Sequence, residues 1–490
     1  MNAPTGSVRA ILALFVLAAI FLAIQYLPLG TWPHPVAVDD YTNVGSSIAD
    51  MSTRWKRPVS ANLIFFFAHY APVSSYAFMA ALAVLNAAMV LWLLARVFAV
   101  RVPLAVVVAF GLVAFSHVSA FSHAIFLGLL TNLISHFFGL VSLLALWVGW
   151  QAGHARWFAG ALLAFGLGAF AKEDFLLPPL LFVALLVVQR RGTGVAPGPM
   201  RWTVAAALLV IAVGSLAWHA FDRNPFVAGL FSPETSPAPY VVDFSASGLS
   251  RSFWRLLVEF APWSCAVAAV GWVAMFARLP ERRLALLWVA AVVLALVLPY
   301  AIIPRTIVPP RVYAWLPWLV GIGAVAWAAM HMALPARRRL ASSWAVLALA
   351  LLVAWLQWPP RMAPVAEYVK QVGQNRAPVQ TLLAHREDLV QHPVVGLVGL
   401  SESGGPWCAQ DAFYVNSKLG FQAQRWLVFV PAPTRCYTQQ PRSVVRKQGI
   451  NIGVEDLATL CDYGDLPVLE YQPDGTGRLR RAAEFCAAGR

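Results

Sequence analysis

The chain has 490 residues, 60% of them hydrophobic and 12% charged. A soluble protein carries roughly 45–50% apolar and about 25% charged residues, so disorder, a coiled coil and an ordinary cytosolic enzyme are excluded. With a mean hydropathy of +0.67 the sequence describes a polytopic helical membrane protein.

Eleven apolar runs approach or reach the roughly 20 residues that cross a hydrocarbon layer. They cover about 10–29, 74–95, 103–121, 125–149, 157–171, 174–189, 203–220, 254–276, 284–302, 313–332 and 341–358. The first lacks a clear small-residue cleavage site and leads into Pro and Trp, so it reads as a span rather than a signal peptide. The fifth and sixth are short and are split by Lys172-Glu173-Asp174.

Lys and Arg resist translocation, so loop charge sets orientation. With the N-terminus in the cytoplasm, the inner segments hold thirteen bases, among them Arg9, Arg190, Arg191, Arg282, Arg283 and Arg337–Arg339, and a single acid, Glu281. The outer segments hold nine bases and nine acids. This bias predicts an inside N-terminus, eleven spans and an outside tail. The net charge of +14 is then mostly topology, and a nucleic-acid partner is not expected.

Residues 359–490 form a second predicted domain, a small α/β unit. They carry 14 Lys+Arg and 12 Asp+Glu, a soluble balance. Val394–Leu400 and Trp426–Val430 read as buried strands. Pro467–Glu470 and Arg478–Arg481, joined through Pro473-Asp474-Gly475, read as a hairpin. Residues 360–390 look helical, with Pro359-Pro360 as the hinge leaving the membrane. Four of the five cysteines, Cys408, Cys436, Cys461 and Cys486, lie in this tail. An even number in a small extracytoplasmic domain predicts two disulfides, pairing by proximity as Cys408–Cys436 and Cys461–Cys486.

Ionisable groups near a bilayer mark candidate sites, and here they gather on the outer face in four clusters. Asp39-Asp40-Tyr41 follows the first span; adjacent carboxylates suit a general base, and equally a helix N-cap. Trp55-Lys56-Arg57-Pro58 offers a helix start at Pro58 and an anion-facing or interface-anchoring Arg57. Lys172-Glu173-Asp174 is either a lipid-phosphate contact or a self-neutralised turn. Pro309-Pro310-Arg311-Val312-Tyr313 opens the tenth span with an arginine that can hold a phosphate or snorkel. His69, His117, His123, His136 and His219 recur near the outer side without metal-ligand spacing, so they read as hydrogen-bonding or cavity residues.

The order of these clusters resembles the integral-membrane glycosyltransferases of the GT-C superfamily. Trp55-Lys56-Arg57-Pro58 through Tyr70 looks like the first-loop region of the branch that includes tetratricopeptide-bearing O-mannosyltransferases and bacterial polyprenyl-phosphate-sugar transferases. Ala171-Lys172-Glu173 with Pro178 looks like its lysine-glutamate motif, and Pro310-Arg311-Val312-Tyr313 like its late arginine-tyrosine motif. The resemblance covers roughly residues 1–358, the predicted catalytic domain. The tail has no tetratricopeptide repeats.

The resemblance implies a polyprenyl-phosphate-linked sugar as donor. It also implies transfer with inversion on the periplasmic face of the inner membrane, to a surface glycan, a lipid or a protein. The leaving phosphate is already a stable anion, so it calls for cations rather than a general acid. Arg57, Lys172 and Arg311 are the candidates. Asp39 or Asp40 would take the acceptor proton. Glu173 would orient Lys172 or bind sugar hydroxyls, and Tyr41 and Tyr313 would stack on sugar or headgroup. No cofactor is expected; a divalent metal remains open. Two other readings stand beside this one: a transporter or flippase for a lipid-linked sugar, and a non-enzymatic envelope assembly protein.

Overall fold

A computed structural model describes residues 5–26, 58–70, 72–117, 119–122, 130–191, 198–221, 243–303, 309–399, 425–429, 444–446, 449–454, 465–472 and 476–484. Every one of the eleven apolar runs overlaps a helix. In chain order the α-helices of the described residues are α1 (Thr5–Tyr26), α2 (Pro58–Tyr70), α3 (Pro72–Val97), α4 (Leu104–Ser116), the single turn α5 (Ser119–Ser122), α6 (Leu130–Ala152), α7 (Ala155–Ala171), α8 (Leu177–Arg191) and α9 (Pro199–Phe221). They continue with α10 (Ala246–Trp254), α11 (Pro262–Arg278), α12 (Arg283–Ala301), α13 (Leu316–Ala333), α14 (Ala336–Ala384) and α15 (Arg386–Val390).

Among the described residues, six helices are long and apolar enough to cross a bilayer, and a bent pair makes up to seven. Val8–Ile24, Leu104–Ser116 and Ala155–Ala171 are shorter apolar helices. The chain is thus a helical membrane protein.

Prolines set several helix starts. Pro58 and Pro199 each stand first in their helices, α2 and α9, where a missing N–H removes nothing from the ladder. The expected span at 254–276 is divided. Residues 246–259 and 262–278 meet at 91°. Arg255–Glu259 forms a π-helical turn, Ala261 leaves helical geometry, and Pro262 opens α11. Pro262 has no N–H to donate backwards, so the ladder restarts there. Next to the break, the Phe260 carbonyl accepts from His117 Nε2 at 2.7 Å. At Pro359-Pro360 the assigned helix does not stop: α14 runs unbroken for 49 residues.

The centre of the bundle is α13, whose spanning window is 78% buried, whereas α9 and α14 are 22% and 28% buried. The outer helices show Leu209, Val210, Val213, Leu351, Leu352 and Trp355 to the surroundings, as helices facing lipid do. Close crossings use small residues: a methyl group at Gly271 of α11 would lie 2.7 Å from the Gly323 Cα of α13.

The tail contains a six-stranded sheet in the order β3-β4-β2-β1-β5-β6. Its strands are β1 (Val394–Val398), β2 (Arg425–Phe429), β3 (Val444–Arg446), β4 (Gly449–Val454), β5 (Pro467–Tyr471) and β6 (Gly477–Arg481). β1 pairs in parallel with β2 and β5, and β2 with β4; β3 and β6 are antiparallel edges. The two expected buried strands are β1 and β2, and the expected hairpin is β5–β6. Gly399 closes β1 at φ +76°, where an added Cβ would strike the Tyr471 carbonyl, so only glycine fits. The four tail cysteines lie outside the described residues; Cys265 in α11 is a free thiol.

Candidate functional site

The turn between α7 and α8 carries the densest buried polar network among the described residues. A helix end leaves carbonyls without partners, and inside a membrane protein water is scarce. Here serines from three other helices supply the donors. Ser215 Oγ of α9 donates to the Ala169 carbonyl at 3.0 Å, Ser60 Oγ of α2 to Ala171 at 2.9 Å, and Ser135 Oγ of α6 to Lys172 at 2.8 Å. The Lys172 N–H itself closes onto the Gly168 carbonyl at 3.0 Å.

With its backbone held, Lys172 turns inward. Its Nζ donates to Asn132 Oδ1 at 2.6 Å and pairs with Asp174 Oδ2 at 2.9 Å. Tyr300, at the end of α12, donates its hydroxyl to the same Asp174 oxygen at 2.6 Å. The ammonium also sits 5.8 Å from the Tyr300 ring centre. Thr131 Oγ1 donates to Asn132 Oδ1 at 3.0 Å. Lys172 and Asp174 are 8% and 7% exposed, so this charge pair is made out of contact with bulk solvent.

A second turn from late in the chain is joined to the first through His136 of α6. Pro309–Ala314 forms a 3-10 turn before α13. Tyr313 is buried, with its ring centre 5.0 Å from that of His136. The His136 ring also lies 4.9 Å from that of Phe175, the residue after Asp174. Trp315 packs 5.9 Å from Tyr300. Helices α6 and α12 therefore bring the lysine turn and the arginine-tyrosine turn together.

The sequence-predicted residues divide accordingly. Lys172 and Tyr313 belong to one network, with Glu173, half-buried, in the turn between Lys172 and Asp174. Tyr313, expected to stack on a sugar or headgroup, packs on His136. The Arg311 backbone lies in the second turn; its side chain, together with Asp39, Asp40, Tyr41 and Arg57, lies outside the described residues. His117 is a hydrogen-bonding histidine as expected, joined to Ser119 Oγ at 2.8 Å and to the Phe260 carbonyl. His69, His123 and His219 lie outside the described side chains. Among the described residues no group of three or more His, Cys, Asp or Glu is arranged to hold a metal ion.

The sequence reading did not single out Asn132 and Tyr300 as members of the site; His136, read as a hydrogen-bonding or cavity residue, lines a cavity. One signal was available. Asn132, Ser135 and His136 stand at i, i+3 and i+4 in an apolar run, and that spacing puts all three on one helix face. Of the two readings of Lys172-Glu173-Asp174, the Lys172–Asp174 ion pair matches the self-neutralised turn.

No protein-family model matches this chain, and none of the curated proteins is similar to it.

Proposed function

We propose that the chain is an integral-membrane glycosyltransferase of GT-C type that moves a sugar from a polyprenyl-phosphate donor to an extracytoplasmic acceptor. The observation that carries this reading is the meeting of the Lys172 turn with the Tyr313 turn on α6 and α12. Those are two of the four clusters that resemble the superfamily, and 140 residues of chain separate them. In this reading all eleven apolar helices cross the membrane, the N-terminus is cytoplasmic and the sheet-bearing tail is periplasmic.

The chemistry is a single displacement. The acceptor hydroxyl oxygen attacks the anomeric carbon. The bond from that carbon to the phosphate oxygen breaks, and its electron pair leaves with the polyprenyl phosphate. The hydroxyl proton passes to Asp39 or Asp40. One displacement inverts the anomeric centre.

The buried ion pair refines the assignment of cations. Lys172 is balanced by Asp174, so the pair adds little net charge. It fixes the turn and holds Glu173 beside the chamber, where Glu173 binds sugar hydroxyls. Arg57 and Arg311 then supply the net positive charge and the planar donors that suit a phosphate. Tyr41 contacts the sugar or headgroup. The acceptor is a glycan, lipid or protein, and the tail covers the outer mouth and helps to bind it.

The test is incubation of the purified full chain in lipid vesicles with a labelled polyprenyl-phosphate sugar and a mixture of envelope acceptors. Loss of label from the lipid fraction into an acceptor or water is expected. Label that crosses the bilayer still attached to the lipid would favour transport instead.

A further inference from the structure

Beside His136, residues of α3, α4, α5, α6, the Pro309–Ala314 turn and the start of α13 line a partly open cavity of about 30 Å³. Its lining is mostly apolar, including Ala83, Val90 and Leu140, but Asn86, His136 and Tyr313 also face it. Asn86 and His136 are 7% and 3% exposed. Asn86 donates its Nδ2 to the Leu133 carbonyl at 3.1 Å. Its Oδ1, and His136 Nε2, have no hydrogen-bond partner among the described residues.

A buried amide oxygen or imidazole nitrogen without a partner is costly, and more so at membrane depth. A water molecule needs about 10–15 Å³ of such space and two or more polar partners. The cavity meets both conditions for one or two waters. Water also suits His136 in either tautomer, since it can donate to a bare nitrogen or accept from a protonated one.

We infer that Asn86 Oδ1 and His136 Nε2 share an internal water site that braces the junction of α3, α6 and the Pro309–Ala314 turn. The bound water sets the plane of the His136 ring. That ring is wedged between Tyr313 and Phe175, so its plane governs the spacing of the two turns. His136 is a positioning residue in this account. The inference rests on the cavity and its polar atoms and holds whatever reaction the protein carries out.

The deciding measurement is a density map of the full chain in a lipid nanodisc, at a resolution that shows ordered waters elsewhere. A peak within about 3.2 Å of both Asn86 Oδ1 and His136 Nε2 is expected. An empty cavity, or one filled by a side chain, overturns the inference. Unfolding of Asn86→Leu, His136→Phe and the double variant gives an independent reading. Shared water makes the double variant's shift in unfolding temperature clearly smaller than the sum of the single shifts. Shifts that add also overturn it. Neither measurement uses sugar transfer, so neither depends on the glycosyltransferase reading.

Discussion

Lys172 and Asp174, two positions apart, form a 2.9 Å ion pair between helices α7 and α8 that is almost closed to solvent. Removing one member of such a pair strands the other charge, which costs about 3–5 kcal/mol. Lys172→Met and Asp174→Leu should each destabilise the protein in detergent by that order, seen as a lowered unfolding temperature. The double variant should recover most of the loss, because it leaves no buried charge behind. Single variants as stable as the parent would contradict the described network.

The lysine turn is also shaped from below by glycine. A methyl group at Gly139 of α6 would lie inside the Phe175 ring. Gly139→Ala should push Phe175 off His136 and destabilise the protein by about 1–3 kcal/mol. Gly166 of α7 has nothing within 4 Å of the added carbon, so Gly166→Ala should match or slightly exceed parental stability. Thermal unfolding of the two variants side by side checks the contrast.

In the tail, Glu470 of β5 accepts from Arg478 Nε at 2.8 Å and Arg480 Nη1 at 3.2 Å, both on β6. The Arg478 hydrogen bond, with help from Arg480, holds the Glu470 carboxyl below its usual 4.5. A depressed carboxylate stabilises the fold above the unfolded value and loses that contribution as pH falls through the folded one. The β5–β6 hairpin should therefore open more readily below about pH 4.5, seen as faster amide exchange in the full chain after correction for intrinsic rates. Glu470→Gln should remove most of this dependence. A hairpin equally protected at pH 3.5 and pH 6 would speak against it.

On the proposed reaction, loss of a general base lowers rates by about 10²–10⁴-fold. Asp39→Asn and Asp40→Asn should be unequal in their effect, with the larger loss marking the base. Arg57→Ala and Arg311→Ala should each slow transfer while leaving unfolding temperatures near the parent's. Initial rates with a labelled lipid-linked sugar measure all four. Four variants with parental rates would remove these residues from the site.

Much of the architecture was legible because hydrocarbon imposes a simple length and polarity rule. The apolar runs overlap helices, Pro58 opens one of them, and the hairpin at 467–481 follows from its turn residues and alternation. The bend at 259–262 was not read from the sequence, because the long apolar stretch after Pro262 outweighs Arg255 and Glu259 in the average, while the hydrogen-bond ladder breaks at Pro262. Motif order pointed to the Lys172 and Tyr313 turns, and His136 of α6 packs on a residue of each. Asn132 and Tyr300 were not legible, because polar residues on a mostly apolar helix change the average little and declare themselves only through contacts across the bundle. The pairing of Lys172 with Asp174 rather than Glu173 depends on a 3-10 turn that composition does not encode.

The most direct test of the account is a structure of the full chain with polyprenyl phosphate bound. The phosphate should rest against the Arg57 and Arg311 guanidiniums, beside the Lys172 turn, with the Asp39 or Asp40 carboxylate facing the same chamber across the space a sugar would occupy. A phosphate bound elsewhere, or both carboxylates opening onto a different surface from Arg311, would contradict it.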